Sequence, residues 1–260
     1  VRNKTQVNKI LLDKAKNLKF IGRLGVGLDN INLNICKKLK TYVQPATGMN
    51  ADAVAEYVIG SSLHLIKNIS LLHNGTKKGL WPRTSFTSRE LKGKIFGLMG
   101  FGLIAKKVST LATIFNAQII AYDPFIDPST VGEFSIKLVE ISEIFEHADV
   151  ISIHLPLTST TKNLLDYTAF KKMRKQPIII NSSRGSIIDE KGLLKAYDEK
   201  LISGFGLDVY ETEPVQEKFL NSIKNNTNCI LTPHIAGVTE ESNIRVSDFI
   251  ANSVKEFFKL

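Results

Sequence analysis

The sequence predicts an α/β protein built on a doubly wound parallel sheet, and three observations carry that prediction. From residue 94 onward, apolar runs of four to six residues alternate with helical stretches. That is the pattern of parallel strands joined by crossover helices. The first run, Ile95–Met99, leads straight into the glycine turn Gly100-Phe101-Gly102. Finally, Ser183-Arg184-Gly185, Glu211-Thr212-Glu213-Pro214 and Thr232-Pro233-His234 each stand just after a later apolar run. There such a sheet presents its ligand crevice.

Taken in order, the chain opens with a block of different character. Val7–Ala15 reads as a helix, Leu18–Leu24 as a strand, Asn32–Lys40 as a helix and Thr41–Val43 as a short strand. A longer helical pattern runs from Ala51 to about Asn74, apolar at Val54, Val58, Leu63, Leu65 and Ile66, and is expected to bridge the two blocks. In the second block, strands are expected at Ile95–Met99, Gln118–Tyr122, Val150–Leu155, Pro177–Asn181, Gly204–Val209 and Cys229–Thr232. Helices are expected at Leu103–Phe115, around Leu138–His147, near Asp166–Met173 and at Glu190–Glu199. The last stretch, Glu240–Phe258, is helical, with apolar residues at Ile244, Val246, Phe249, Ile250, Val254, Phe257 and Phe258. Coming after the sheet, it is expected to return to the first block.

Composition narrows the function classes. An apolar content of 43% with 23% charged residues belongs to a globular chain and argues against disorder. No run approaches 18 apolar residues, so no membrane span is read, and Val1 opens no secretory leader. Cys36 and Cys229 are too few for a disulfide framework and fit free thiols in a reducing cytoplasm. The net charge of +9 comes from scattered lysines without an arginine cluster interleaved with aromatics, which argues against nucleic acid. Such an exterior can steer a small anion. No Cys or His pair has metal-ligand spacing.

The segment Gly100-Phe101-Gly102-Leu103-Ile104-Ala105 has the spacing G-x-G-x-x-A. The first glycine makes the tight turn and the second lets backbone approach a pyrophosphate. The small third residue lets helix and strand pack closely. A helix opening there offers free amides and a partial positive charge to phosphates. The motif alone also occurs in ligand-free turns, but Asp123 ends the next strand, where a carboxylate accepts from a ribose 2′-hydroxyl and repels a 2′-phosphate. The pair predicts a dinucleotide, NAD over NADP.

Reducing a 2-oxo acid needs a cation for the carboxylate, a proton donor near neutral pH and an acid that tunes the donor. Arg184 offers a planar bidentate grip. His234 can exchange a proton with a carbonyl or hydroxyl oxygen. Glu213 is the carboxylate that would stabilise the imidazolium. Asp208, ending Gly206-Leu207-Asp208-Val209, is placed to accept from the nicotinamide carboxamide, and Gly25-Val26-Gly27 can offer consecutive amides to an anion.

These segments together resemble the D-isomer-specific 2-hydroxyacid dehydrogenase family, close to its D-3-phosphoglycerate dehydrogenase branch. The resemblance rests on Val1–Thr5, Gly25–Asn30, Gly100–Ala105, Ala121–Pro124, His154–Thr158, Asn181–Gly185, Leu207–Val209 with Glu213-Pro214, and Thr232–His234. It implies a Rossmann-type NAD-binding domain over 50–236 beside an incomplete flavodoxin-like substrate-binding domain from 1–49 and 237–260, whose N-terminal part is missing. It also implies a cytoplasmic homodimer. In the family a fixed spacing separates the arginine from the glutamate, which selects Glu213 over Glu211.

By the same resemblance, Arg184, Glu213 and His234 are catalytic. Gly100, Gly102, Leu103, Ile104, Asp123, His154, Pro156, Thr158 and Asp208 bind NAD, and Arg2, Asn3, Lys4, Val26 and Gly27 bind substrate. Leu103 departs from the family, which usually carries a basic residue there, so phosphate binding is expected to lean on backbone amides. Arg2 and Lys4 suit a second anion and favour 3-phosphoglycerate, in serine biosynthesis. Trp81-Pro82-Arg83 and Ile235–Thr239 also fit a sulfolactate enzyme. A non-catalytic NAD-sensing protein is a further alternative. Formate dehydrogenase is disfavoured, because its histidine normally pairs with glutamine.

Overall fold

The computed structural model describes residues 1–2, 4–84, 86–134, 136–223 and 228–260. They divide into two units, Val1–Ala53 with Gly237–Leu260, and Val54–Ala236.

The first unit begins with α1 (Lys9–Lys14), β1 (Phe20–Arg23), α2 (Leu33–Lys38) and β2 (Tyr42–Pro45). Both helices are shorter than their apolar patterns, because Asn8 and Asn32 cap them by accepting from Leu11 N and Ile35 N. Strands β1 and β2 pair in parallel.

The helix expected from Ala51 to about Asn74 is two helices, α3 (Ala51–Lys67) and α4 (Ile69–Lys77). Asn68 between them takes a left-handed conformation, φ 53°, which asparagine tolerates better than most residues. The Asn68 side chain makes no cap bond; instead the His64 ring accepts from Ser70 N at 3.1 Å.

In the second unit, β3 (Ile95–Met99), α5 (Leu103–Ile114) and β4 (Gln118–Tyr122) follow the sequence reading closely. After a 3₁₀ turn at Pro128–Phe134 comes a strand the sequence reading missed, β5 (Ile136–Leu138), and only then α6 (Ile141–His147). β6 (Val150–Ile153), α7 (Tyr167–Phe170), β7 (Ile178–Asn181), α8 (Glu190–Asp198), β8 (Gly204–Leu207), the unanticipated α9 (Glu217–Asn221) and β9 (Cys229–Leu231) complete the unit. The seven strands are parallel, in the order β5-β4-β3-β6-β7-β8-β9. This is the doubly wound α/β sheet, with its order reversing between β3 and β6.

Two apolar clusters enclose that sheet. Alternate residues of one strand join different clusters: Ile179 packs with α6 to α8, whereas Ile178 and Ile180 pack with α3 and α5. All four residues of β6, β7 and β8 are buried, so these strands read as continuous apolar runs rather than alternating ones.

The chain closes with α10 (Glu240–Phe258), whose bounds match the expectation. Val246 and Ile250 pack with Ala46, Leu24 and Met49 of the first unit. Ile244, counted above among the apolar positions of this helix, is 61% exposed instead. Among the described residues, no helix is long and apolar enough to cross a membrane.

Candidate active site

The carboxyl ends of the strands in the second unit carry the candidate groups. Where β3 ends, Gly100 has φ +91°, and a Cβ there would stand 2.7 Å from the His154 carbonyl oxygen. Only glycine fits this turn. The close approach brings the loop after β3 against the loop after β6, at the point where the strand order reverses. Gly102 caps α5 without a side-chain bond, and a Cβ there would meet nothing within 4 Å. The helix-start amides of Leu103 and Ile104 therefore sit beside open space with no side-chain cap, as an anion cradle requires.

Asp123 helps to shape this loop. One carboxylate oxygen accepts from Phe101 N at 2.9 Å and the other from Phe125 N at 3.0 Å. A carboxylate has about four lone-pair positions, so each oxygen keeps one for a hydroxyl. His154 is half-buried, its ring 2.9 Å from Ser152 Oγ, and burial lowers its pKa to about 4. Thr158 spends its polar atoms on a local turn with Thr160 and Thr161, and the Pro156 carbonyl accepts from Thr161 Oγ1.

Asp208, just past β8, is 1% exposed. Its Oδ1 accepts from Thr232 Oγ1 at 2.6 Å and Ile235 N at 2.8 Å, and its Oδ2 from Ala236 N at 2.7 Å. One position on Oδ2 remains for any further donor.

Past β9, His234 adopts φ +59° and its Nδ1 lies 2.8 Å from Glu213 Oε2. A carboxylate only accepts, so Nδ1–H donates, and Nε2 is the ring position left to exchange a proton. The Glu213 loop is tied to the start of α8, where Glu190 and Glu211 each accept the other's backbone N–H. Tyr210 N reaches Glu213 Oε1 at 3.4 Å.

Arg184 follows β7. Asn181, fully buried, holds its turn by donating to the Arg184 carbonyl at 2.9 Å and accepting from Ser183 N and Oγ. A Cβ on Gly185 would overlap the Tyr210 carbonyl. The arginine turn thus abuts the residue that also contacts Glu213.

The structure brings Glu213 and His234 into direct contact and sets the Arg184 turn against their neighbour Tyr210. Arg2, Lys4, Val26 and Gly27 lie in the first unit. Arg2 Nη2 reaches Asn243 Oδ1 at 3.4 Å, and the Gly27 carbonyl accepts from Arg23 Nε at 2.9 Å. Asn3 lies outside the described residues. Three residues given no role by the sequence reading shape the site: Asn181 and Thr232 as hydrogen-bonding groups, and Tyr57, whose hydroxyl is 2.7 Å from Thr232 Oγ1. Only the polar ending of an otherwise apolar run at Asn181 was open to sequence reasoning.

The family model of the D-isomer-specific 2-hydroxyacid dehydrogenase NAD-binding domain matches residues 59–236. The chain belongs to this family. Its members are NAD-dependent oxidoreductases, and the open cradle at Gly102 fits that cofactor.

A (S)-sulfolactate dehydrogenase of Chromohalobacter salexigens is 37% identical over 257 residues, 98% of this chain and 82% of that protein. A D-3-phosphoglycerate dehydrogenase of Archaeoglobus fulgidus is 34% identical over 259 residues, and the chain spans 49% of its length. Among solved structures, D-lactate dehydrogenase from Aquifex aeolicus with NAD and lactic acid superposes with a TM-score of 0.91 at 28% identity. That match covers 100% of this chain and 82% of the other.

Proposed function

We propose that this chain interconverts a D-2-hydroxy acid and its 2-oxo acid, the acid carrying a second anionic group. The observation that carries this is the contact between His234 Nδ1 and Glu213 Oε2. It leaves one ring nitrogen for proton transfer and supplies a negative charge to steady the imidazolium.

Bound NADH supplies the hydride. In the reducing direction, His234 gives its Nε2 proton to the carbonyl oxygen as that oxygen gains charge. Glu213 holds the ring's orientation and tautomer. Arg184 grips the substrate carboxylate beside the reacting carbon and offsets the developing negative charge. By the resemblance, the Val26 and Gly27 amides would hold the substrate carboxylate, and Arg2 and Lys4 would meet the distal anion.

On the cofactor, Gly100, Gly102, Leu103 and Ile104 receive the pyrophosphate, Asp123 the ribose, and His154, Pro156 and Thr158 the adenosine groove. Asp208 would accept from the carboxamide. The protein works in the cytoplasm, a reading supported by its two free thiols, and as a homodimer, which rests on the resemblance alone.

The substrate favoured is 3-phosphoglycerate with 3-phosphohydroxypyruvate, placing the chain in serine biosynthesis. Sulfolactate is the second reading, favoured by the 37% identical relative. Loss of NADH absorbance with 3-phosphohydroxypyruvate and 3-sulfopyruvate, side by side, ranks the two. Arg184→Ala and His234→Ala are expected to lower kcat/KM by at least about a hundredfold. Normal turnover in either variant ends the mechanism.

A further inference from the structure

Thr232 stands at the centre of a directed hydrogen-bond chain. Its hydroxyl has a single proton, and Asp208 Oδ1 at 2.6 Å can only accept it. The Tyr57 hydroxyl, 2.7 Å away on α3, must therefore donate to Thr232 Oγ1. The order runs Tyr57 to Thr232 to Asp208, and each donation strengthens the next.

The chain ends on a carboxylate that grips His234 from both sides. Asp208 takes Thr232 two residues before the histidine and the Ile235 and Ala236 amides just after it. Between those anchors His234 holds a left-handed backbone, which a non-glycine residue keeps only when its surroundings over-determine it. Tyr210 adds a further tie, since its hydroxyl donates to the Thr232 carbonyl at 3.1 Å while its N–H reaches Glu213.

We propose that Thr232, supported by Tyr57, is a positioning residue whose hydroxyl fixes the place and orientation of the His234 imidazole against Glu213. This rests on the reading of His234 as the acid/base. The side-chain network has a plain consequence: Asp208 is a structural anchor of the histidine segment, whether or not its last lone pair meets a cofactor. Among the described residues, the titratable groups hydrogen-bonded to this segment are Glu213 on the ring and Asp208 and Tyr210 on the backbone, with Tyr57 beyond Thr232.

Thr232→Val keeps the shape and removes the hydroxyl; Thr232→Ser keeps the hydroxyl; Tyr57→Phe removes only the outer donor. Kinetics, NADH binding followed by fluorescence, and the His234 ring titration by NMR (assigned with His234→Ala) are measured on the full chain. In Thr232→Val, kcat is expected to fall about tenfold, with the 2-oxo acid KM and the NADH Kd changed less than about threefold. The His234 ring titration no longer matches wild type as the Glu213 contact loosens. Thr232→Ser restores both, and Tyr57→Phe gives a smaller loss that does not multiply in the double variant.

An unchanged His234 titration in Thr232→Val overturns the proposal, as does a loss confined to NADH binding. Because the ring titration needs no turnover, a wild-type protein that reduces no 2-oxo acid refutes the parent reading while the positioning claim is still decided.

Discussion

Glu213 and His234 touch at 2.8 Å, yet their side chains are 38% and 34% exposed. Water and salt screen such a pair, so its value lies in orientation and charge at the ring rather than in stability. Replacing Glu213 by Gln keeps a hydrogen-bond acceptor and removes the charge. The variant is expected to fold with unchanged stability while the pH profile of its 2-oxo acid reduction departs from that of wild type. Its kcat near neutrality should fall about tenfold or more. A profile superimposable on wild type would assign Glu213 an orienting role without an electrostatic one. At this scale the Glu213–His234 contact was legible because each residue follows an apolar run, and a doubly wound sheet delivers such positions to one edge. Tyr57 was not, since its partner Thr232 lies 175 residues away and no local pattern joins them.

Helices and strands were legible wherever burial alone sets them. Ile95–Met99 and Gln118–Tyr122 stand as read, because central parallel strands are covered on both faces and need uninterrupted apolar residues. β5 escaped for the opposite reason: three residues at a sheet edge, with Lys137 exposed at their centre, are too few to stand out as a run or as an alternation. The break at Asn68 escaped because the apolar pattern continues through it. The helix is interrupted by the left-handed backbone at Asn68, accompanied by a bond from Ser70 N to the His64 ring, which sequence spacing does not announce. The start of α10, by contrast, is written locally. Thr239 Oγ1 accepts from Ser242 N at 3.0 Å and Ser242 Oγ accepts from Thr239 N at 3.0 Å, a reciprocal cap. Thr239→Ala is expected to lower stability by about 1 kcal/mol in urea unfolding, with turnover per folded molecule retained. A loss beyond about 3 kcal/mol would mean that the threonine does more than cap.

At the scale of the whole molecule, the point where the strand order reverses carries a titratable liability. His154 leaves β6 with its N–H on the Met99 carbonyl at 2.7 Å and its own carbonyl against Gly100. The ring sits among buried groups beside Ser152, and desolvation lowers its pKa from 6.5 to about 4. The folded chain therefore stays unprotonated there at pH values where the unfolded chain takes up a proton. The unfolded state binds more protons between those two values, so stability must fall as pH drops from 6.5 towards 4. The shift sets a ceiling of about 3 kcal/mol on this contribution. His64, also lowered by burial, acts in the same direction. His154→Gln keeps a polar side chain and abolishes the titration. Urea midpoints followed by circular dichroism at pH 7 and pH 4.5 are expected to separate more widely for wild type than for the variant. The carboxylates common to both proteins cancel in that comparison. Two curves that fall in parallel would mean that His154 ionises as readily in the folded protein as in the unfolded chain, and that the loops after β3 and β6 admit water to its ring.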